Sequence, residues 1–280
     1  MLMVIAGLVL LGLILGSFVN AVVWRLREQE VELSKKHPDK KYLKLVSVSQ
    51  GRSVCPNCKH QLHVKDLVPI LSWVSLRGKC RYCGQPISVQ YPLVELLTAL
   101  LFVVSYIWWP ATFTNNQILL FIFWLVLLTG FMALIVYDLR WMLLPNRLVY
   151  PLTVIAAFFA VIRLTPAHTG EDVLKQVLAV IIGGGIFYLL FQLSGGKWIG
   201  GGDVKLGWLL GLLAGTPARS LLLIFAASLL GSLVSVPLLA SGRLKKTSTI
   251  PFGPFLIIAG ILVQLFGASI IHFYTHNFFQ

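Results

Sequence analysis

The chain has 280 residues, of which 57% are hydrophobic and only 12% are charged. A soluble globular domain carries about 25% charged residues, so this composition excludes a soluble globular protein. The formal net charge is +13, but the sequence contains no basic motif typical of nucleic-acid recognition, and we expect no nucleic-acid partner.

Long apolar stretches dominate the chain. A membrane-spanning helix needs about 20 predominantly apolar residues, and the first such stretch is expected to be a retained helix because no basic residue precedes it. The sequence therefore predicts an all-α polytopic membrane protein with about eight transmembrane helices. The sixth is expected to be short, tilted or partly re-entrant. The predicted helices lie near 2–24, 92–109, 117–138, 148–164, 174–193, 204–216, 220–241 and 253–273.

The basic residues predict the orientation, because Lys and Arg accumulate in cytoplasmic loops. With the N-terminus outside, 20 of the 23 basic residues lie in or beside the cytoplasmic segments. Those segments are 25–91, 139–147, 194–203 with Lys205 at its edge, and 242–252. We expect a multi-pass protein in contact with membrane lipid, organised as a first helix (1–24), a cytoplasmic module (25–91) and a membrane core (92–280).

All the cysteines lie in the 25–91 module, in two Cys-x-x-Cys motifs. Four thiolates with this spacing can surround one Zn²⁺, which would supply the folding energy that a module this small lacks. Disulfides and free thiols are the alternatives; disulfides are disfavoured in the reducing cytoplasm, and iron is a possible metal. The sequence favours a structural zinc site. Its ligands would be Cys55, Cys58, Cys80 and Cys83.

Two aspartates stand at the predicted cytoplasmic ends of helices. A carboxylate there is costly unless it is paired, hydrated or neutralised, so Asp138 and Asp203 are functional candidates. Taken singly, Asp138 could pair with Arg140 or Arg147, and Asp203 could cap a helix or pair with Lys205.

Taken together, the two aspartates indicate acid–base chemistry. Two adjacent carboxylates share a proton, so one can act as a general base and the other as a general acid. Such a pair can activate water against a peptide carbonyl. Glycines before Asp203, including Gly200 and Gly202, would let a substrate backbone approach closely. The glycines at 183–185 indicate close packing between helices instead.

Several short motifs follow one another along the whole chain. They are Gly16-Ser17-Phe18-Val19-Asn20, both Cys-x-x-Cys pairs, Leu71-Ser72-Trp73, Arg77 to Cys83, Tyr91-Pro92-Leu93-Val94-Glu95, Asp138 with Leu144-Pro145, Gly200-x-Gly202-Asp203-x-Lys205-Leu206, and Pro251-Phe252-Gly253-Pro254-Phe255. Their order and spacing resemble the prepilin peptidase family, the type IV prepilin leader-processing aspartic proteases of bacterial inner membranes. One departure from that family is Asn146, where many relatives have Asp.

The resemblance implies that Asp138 and Asp203 are the catalytic pair of a Gly-x-Gly-Asp membrane aspartic protease. Gly200, Gly202 and Lys205 would contact the substrate, a prepilin or pseudopilin cut at the cytoplasmic face between its basic leader and its hydrophobic helix. Many relatives also N-methylate the new N-terminus with S-adenosylmethionine, an activity associated with the cysteine module, so a bifunctional enzyme is expected.

The residue patterns alone leave two other functions possible. Paired membrane carboxylates also serve proton-coupled transporters, although both aspartates here lie at one face and no inverted repeat is evident. The chain could also be a membrane scaffold whose module binds a partner. Glu95, at the membrane edge, is either a candidate for methyl transfer or the partner of Arg77 or Arg81 in an ion pair.

Overall fold

A computed structural model describes residues 1–48, 51–165, 169–242 and 250–278. Within these ranges the chain forms ten α-helices and no β-strand, apart from two isolated β-bridges. The chain divides into two compact units, Met1–Ile107 and Trp108–Gln280. The all-α class predicted from the sequence is confirmed.

The first unit contains two long helices, α1 (Leu2–Leu33) and α4 (Gln90–Ile107), which pack against each other. Between them lie the short helices α2 (Lys40–Leu45) and α3 (Leu71–Ser75) and a 3₁₀ turn, Val64–Asp66. Gly12 explains the close packing of the long helices, because a Cβ there would lie 2.5 Å from the Cα of Ala99. Small residues of this kind let membrane helices meet backbone to backbone.

Helix α1 continues past its predicted end at residue 24. Arg25 is buried, and its guanidinium donates to the carbonyl oxygens of Ser47 and Val48, both at 3.2 Å. Gln29 donates to the carbonyl of Val46 at 2.8 Å. The charged end of α1 is therefore held by carbonyl groups of residues 46–48. The pattern of apolar residues could not predict this extension of the helix, because it depends on polar contacts.

The second unit contains six long or medium helices. They are α5 (Asn115–Trp141), α6 (Asn146–Leu164), α7 (Gly170–Ser194), α8 (Gly201–Ala214), α9 (Pro217–Ala240) and α10 (Gly253–Phe278). Helix α8 is central, since it contacts α6, α7, α9 and α10. Its side chains Leu206, Leu209 and Leu210 are fully buried.

In the part of the chain that the structure describes, seven helices are long and apolar enough to cross a membrane: α1, α4, α5, α6, α7, α9 and α10. Helix α8 has 14 residues, about 21 Å at 1.5 Å per residue, which is shorter than the hydrocarbon core of about 30 Å. The predicted short sixth helix is therefore α8, and the other seven predicted helices correspond to the seven candidate spans.

Glycines fix the depth of α8 against α7. A Cβ on Gly183 would lie 2.9 Å from the Cα of Gly211, and a Cβ on Gly207 would lie 2.6 Å from the carbonyl oxygen of Gly183. At Gly184 the ring of Trp208 fills the space of a side chain. The predicted helix-packing role is confirmed for Gly183 and Gly184. Since both helices are closely engaged, the start of α8 is held in place.

The opposite end of α8 is capped by a cation from another helix. The guanidinium of Arg163, in α6, donates to the carbonyl oxygens of Leu213 at 2.6 Å and Leu212 at 3.1 Å. It also donates to the amide oxygen of Gln176 in α7 at 2.6 Å. A positive charge at a helix C-terminus satisfies free carbonyls and complements the helix dipole.

Candidate functional site

Asp138 lies in the last turn of α5 and is 5% exposed. Its main-chain carbonyl accepts from the N–H of Met142 at 2.8 Å, and Met142 ends the helix in the left-handed conformation (φ 52°). The backbone N–H of Gly253, the first residue of α10, donates to the Asp138 carboxylate. The carboxylate is therefore oriented by a backbone group more than a hundred residues away in the sequence.

Asp203 lies in the first turn of α8, whose N-cap is Gly200. Its main-chain N–H donates to the carbonyl of Gly200 at 3.1 Å, and its carboxylate accepts from the backbone N–H of Gly200. An acid in this position satisfies a free N–H and lies at the positive end of the helix dipole. Asp203 is therefore not the N-cap considered from the sequence: that position belongs to Gly200, and Asp203 interacts with it from the first turn of the helix.

Leu144 lies at the meeting point of the three segments that carry these groups. It stands in the loop between α5 and α6, and a Cβ added to Gly202 would lie 3.1 Å from its Cβ. A Cβ added to Gly253 would lie 3.5 Å from its Cδ1 and 2.6 Å from the Oδ2 of Asp138. The α5–α6 loop and the starts of α8 and α10 therefore converge around one side chain.

The two carboxylates interact electrostatically across this convergence. Among the described residues, none of the ion pairs includes Asp138 or Asp203. Within the described ranges, the two sequence-predicted aspartates therefore interact with each other and neither forms a salt bridge with an arginine or a lysine. Two interacting carboxylates of this kind favour different protonation states, which is the basis for dividing acid and base roles between them.

Lys205 does not pair with Asp203. Its ammonium donates to the side-chain oxygen of Asn146 at 2.7 Å and lies 5.6 Å from the centroid of the Tyr150 ring. Both partners belong to the first turns of α6. A neutral amide and a ring face orient the ammonium without cancelling its charge.

Gly253 and Leu144 lie in the site although neither was predicted to belong to it from the sequence. Both belong to motifs that carry the family resemblance, Pro251 to Phe255 and Leu144-Pro145. Their role depends on contacts between distant segments, so no local signal identifies them as positioning residues.

The four cysteines form one cluster in the first unit. Each offers a sulfur atom, and the four sulfurs lie within 4.8 Å of one another. The sulfurs of Cys55 and Cys83 are 3.9 Å apart. A tetrahedral Zn–S distance of about 2.3 Å requires sulfur–sulfur edges of about 3.8 Å. The cluster therefore has the dimensions of a four-thiolate metal site.

The two Cys-x-x-Cys segments have the same local fold. In the first, the N–H of Cys55 donates to the carbonyl of His60 and the N–H of Lys59 donates to the carbonyl of Cys55, both at 2.9 Å. In the second, Cys80 bonds in the same way with Gln85 and Gly84. Lys59 and Gly84 both have positive φ, the conformation that reverses the chain after the second cysteine of each pair.

The four clustered thiols do not ionise equally easily, as the pKa values of Cys80 and Cys83 show. Burial raises the pKa of Cys80, but backbone N–H groups of Cys83 and Tyr82 outweigh burial and lower that pKa to about 7. At Cys83 a hydrogen bond from the Gln85 backbone lowers the pKa. Burial and the neighbouring thiols have the larger combined effect and raise that pKa to about 11. Cys55, Cys58, Cys80 and Cys83 would hold a divalent cation as thiolates, and such a cation would supply the positive charge that stabilises all four.

An ion pair supports the module beside the cysteines. Arg81 donates to the carboxylate of Asp66 at 2.7 Å, and the hydroxyl of Tyr82 donates to the other oxygen at 2.9 Å. Burial by itself raises the pKa of Asp66. The hydrogen bonds from Arg81, Tyr82 and the His63 backbone lower that pKa by more than burial raises it, so the pKa lies below its usual range. His60 stacks on the ring of Tyr82 at 3.8 Å, so its position is explained by packing.

Glu95 does not pair with Arg77 or Arg81. Its carboxylate is buried in α4 and accepts from the backbone N–H of Ile70 at 2.8 Å and from the hydroxyl of Ser17. The ion pair considered from the sequence is therefore replaced by neutral donors.

Two family models match the chain. Residues 10–109 match the bacterial peptidase A24 N-terminal domain, and residues 125–236 match the type IV leader peptidase family. The first match contains the cysteine cluster and the second contains Asp138 and Asp203. Fold and matches together define a membrane peptidase of the A24 class.

Curated relatives identify the family more narrowly. A prepilin leader peptidase/N-methyltransferase of Aeromonas hydrophila is 35% identical over 96% of this chain and 93% of its own length. The corresponding protein of Pseudomonas aeruginosa is 32% identical over 95% and 91%. A type 4 prepilin-like proteins leader peptide-processing enzyme of Escherichia coli is 34% identical over 89% of each chain. No solved structure matches.

The chain belongs to the prepilin leader peptidase/N-methyltransferase family. The family predicted from the motifs is therefore confirmed, and the comparisons give no support to the proton-coupled transporter.

Proposed function

We propose that this chain is a membrane aspartic endopeptidase that removes the basic leader from type IV prepilins or pseudopilins and then N-methylates the new N-terminus. The observation that supports the peptidase activity is the convergence of Asp138 and Asp203 around Leu144. The curated relatives carry both activities in their names.

In this proposal the two carboxylates divide acid and base roles. One carboxylate takes a proton from water while the other donates a hydrogen bond to the scissile carbonyl, which becomes tetrahedral. The proton then passes to the departing amine as the carbon–nitrogen bond breaks. The N–H groups of Gly253 and Gly200 hold the two carboxylates in orientation during these steps.

We assign Gly200, Gly202 and Lys205 to the substrate side of the site. A Cβ added to Gly200 would lie 3.4 Å from the Oδ2 of Asp203, so Gly200 stands beside the carboxylate at van der Waals distance. The Cβ direction of Gly202 faces Leu144 at 3.1 Å, so any contact of Gly202 with the substrate would be made by its backbone. Lys205, held by Asn146, would offer its charge to a carbonyl or carboxylate of the bound peptide.

The cysteine cluster is proposed to hold a structural Zn²⁺ through Cys55, Cys58, Cys80 and Cys83. Zinc would fix the two Cys-x-x-Cys segments against each other and supply folding energy. S-adenosylmethionine is the proposed methyl donor. The active site would face the cytoplasm of a bacterial inner membrane, with the N-terminus outside, as the distribution of basic residues indicates.

Cleavage of a prepilin-like peptide by the purified protein tests the proposal, with mass spectrometry of the product. Asp138→Asn and Asp203→Asn should each abolish cleavage, whereas the matched control Glu171→Gln should cleave normally because Glu171 is an exposed acid paired with Lys175. With S-adenosylmethionine, the mature product should gain the mass of one methylene group. Cleavage retained in either aspartate variant would reject the aspartyl mechanism.

A further inference from the structure

The loop before α3 is hydrogen-bonded to α4, one of the candidate membrane-spanning helices. The backbone N–H of Ile70 donates to the carboxylate of Glu95 in α4 at 2.8 Å. Ile70 has φ 61°, a conformation that a β-branched residue adopts only when its surroundings impose it. The hydrogen bond to a buried carboxylate is the contact that holds it there.

The attachment point lies inside the apolar part of the first unit. A Cβ on Gly16 would lie 2.6 Å from the Cα of Glu95, so Gly16 and Glu95 stand at one level. Arg25, the first charged residue of α1, follows Gly16 by nine residues, or about 13 Å along the helix. Even if the Glu95 side chain extends toward Arg25, Ile70 lies on the membrane side of that arginine.

Apolar side chains beside this attachment point are exposed. Leu71 and Val74 lie on one face of α3 and are 67% and 59% exposed, and Val64 on the preceding turn is 83% exposed. The other side of α3 is anchored, because the Trp73 indole donates to the carbonyl of Ile87 at 3.1 Å and its ring packs on Gly78. The helix therefore presents its apolar face outward.

The exposed charges around this face are basic. Lys65, Arg77 and Lys79 are exposed. The nearby acids are not available to offset them, since Asp66 is buried and paired with Arg81, and Glu95 is buried under Ile70. A surface that combines apolar side chains with Lys and Arg matches the boundary of an anionic membrane.

We propose that the 64–79 segment docks into the headgroup and acyl boundary of the membrane that the chain spans, with Leu71, Val74 and Val64 inserted and Lys65, Arg77 and Lys79 on anionic headgroups. The hydrogen bond from Ile70 to Glu95 sets the depth of the 64–79 segment in the membrane. Lipid is favoured over a second protein because the attachment point already lies at the level of the apolar helices.

Photocrosslinking of the full chain in vesicles tests this. Benzoylphenylalanine placed at Leu71 or Val74 should form lipid adducts in phosphatidylcholine/phosphatidylglycerol vesicles, several-fold above the same probe at Lys36, an exposed control position. Lipid adducts no higher than at position 36, or adducts to a second copy or another protein in their place, would overturn the proposal.

Hydrogen exchange of the unmodified chain gives an independent reading. Amides of the 64–79 segment should exchange several-fold more slowly in vesicles that contain phosphatidylglycerol than in phosphatidylcholine alone. The double variant Arg77→Gln/Lys79→Gln should lose that difference while keeping the lipid adducts at Leu71. Equal exchange of the unmodified chain in both lipids would reject anionic recognition.

Discussion

The backbone N–H of Gly253, at the start of α10, donates to the carboxylate of Asp138 at the end of α5. Any side chain on residue 253 would enter the space of that carboxylate, since an added Cβ would lie 2.6 Å from its Oδ2. Gly253 is therefore a positioning residue for the proposed catalytic pair, and the same N–H could not approach as closely from another amino acid.

Gly253→Ala should lower peptide cleavage by at least about tenfold, because acid–base catalysis worth about 10²–10⁴ depends on the orientation of the carboxylate. The matched control is Gly7→Ala, whose added Cβ meets nothing within 4 Å. Initial rates in detergent, with thermal unfolding of both variants, measure this. An unchanged rate in Gly253→Ala would contradict the positioning role.

Gly207→Ala should destabilise the second unit by about 1–3 kcal/mol, the usual cost of overpacking a tight contact. Its Cβ would lie 2.6 Å from the carbonyl oxygen of Gly183. Gly185→Ala is the control, because its only neighbour within 4 Å is Ile181 of its own helix at 3.8 Å. Thermal unfolding in one detergent compares the two, and equal midpoints would mean that the α7–α8 contact relaxes freely.

Arg163→Met should destabilise the second unit by about 1–3 kcal/mol, since the carbonyl of Leu213 and the amide oxygen of Gln176 lose their side-chain donor. The carbonyl of Leu212 loses the guanidinium but keeps the bond from Gln176 Nε2. Lys175→Met, which removes an exposed cation paired with Glu171, should leave the unfolding midpoint unchanged. A similar midpoint for both variants would show that the Arg163 cap contributes little.

Metal analysis of the purified chain should find one zinc per molecule. Cys58→Ser and Cys80→Ser should each lower that content, because a four-thiolate site loses a ligand. His60→Ala should keep it, since His60 stacks on Tyr82 and a full cysteine set needs no histidine. Less than half an equivalent of metal in the unmodified chain after gentle purification would reject the structural site.

Composition, apolar length and motif spacing were enough to predict the membrane helices, the short α8, the cysteine cluster, and the aspartates that the structure brings together. The helices and the cysteine cluster are local features, because helix formation in a membrane depends on continuous apolar residues and a metal site on closely spaced thiols. The aspartates, 65 residues apart, were paired from the scarcity of acids beside the spans and from the family resemblance. The helix-packing role of the glycines at 183 and 184 could also be predicted, since small residues are typical of tight contacts between membrane helices.

Only the tertiary structure decided which distant groups meet. The N–H of Gly253 on Asp138, Leu144 between Gly202 and Gly253, and Ile70 on Glu95 all join segments that are far apart in the sequence. Apolar periodicity carries no information about such partners. They depend on how the helices pack, which places a donor beside an acceptor only after the chain has folded.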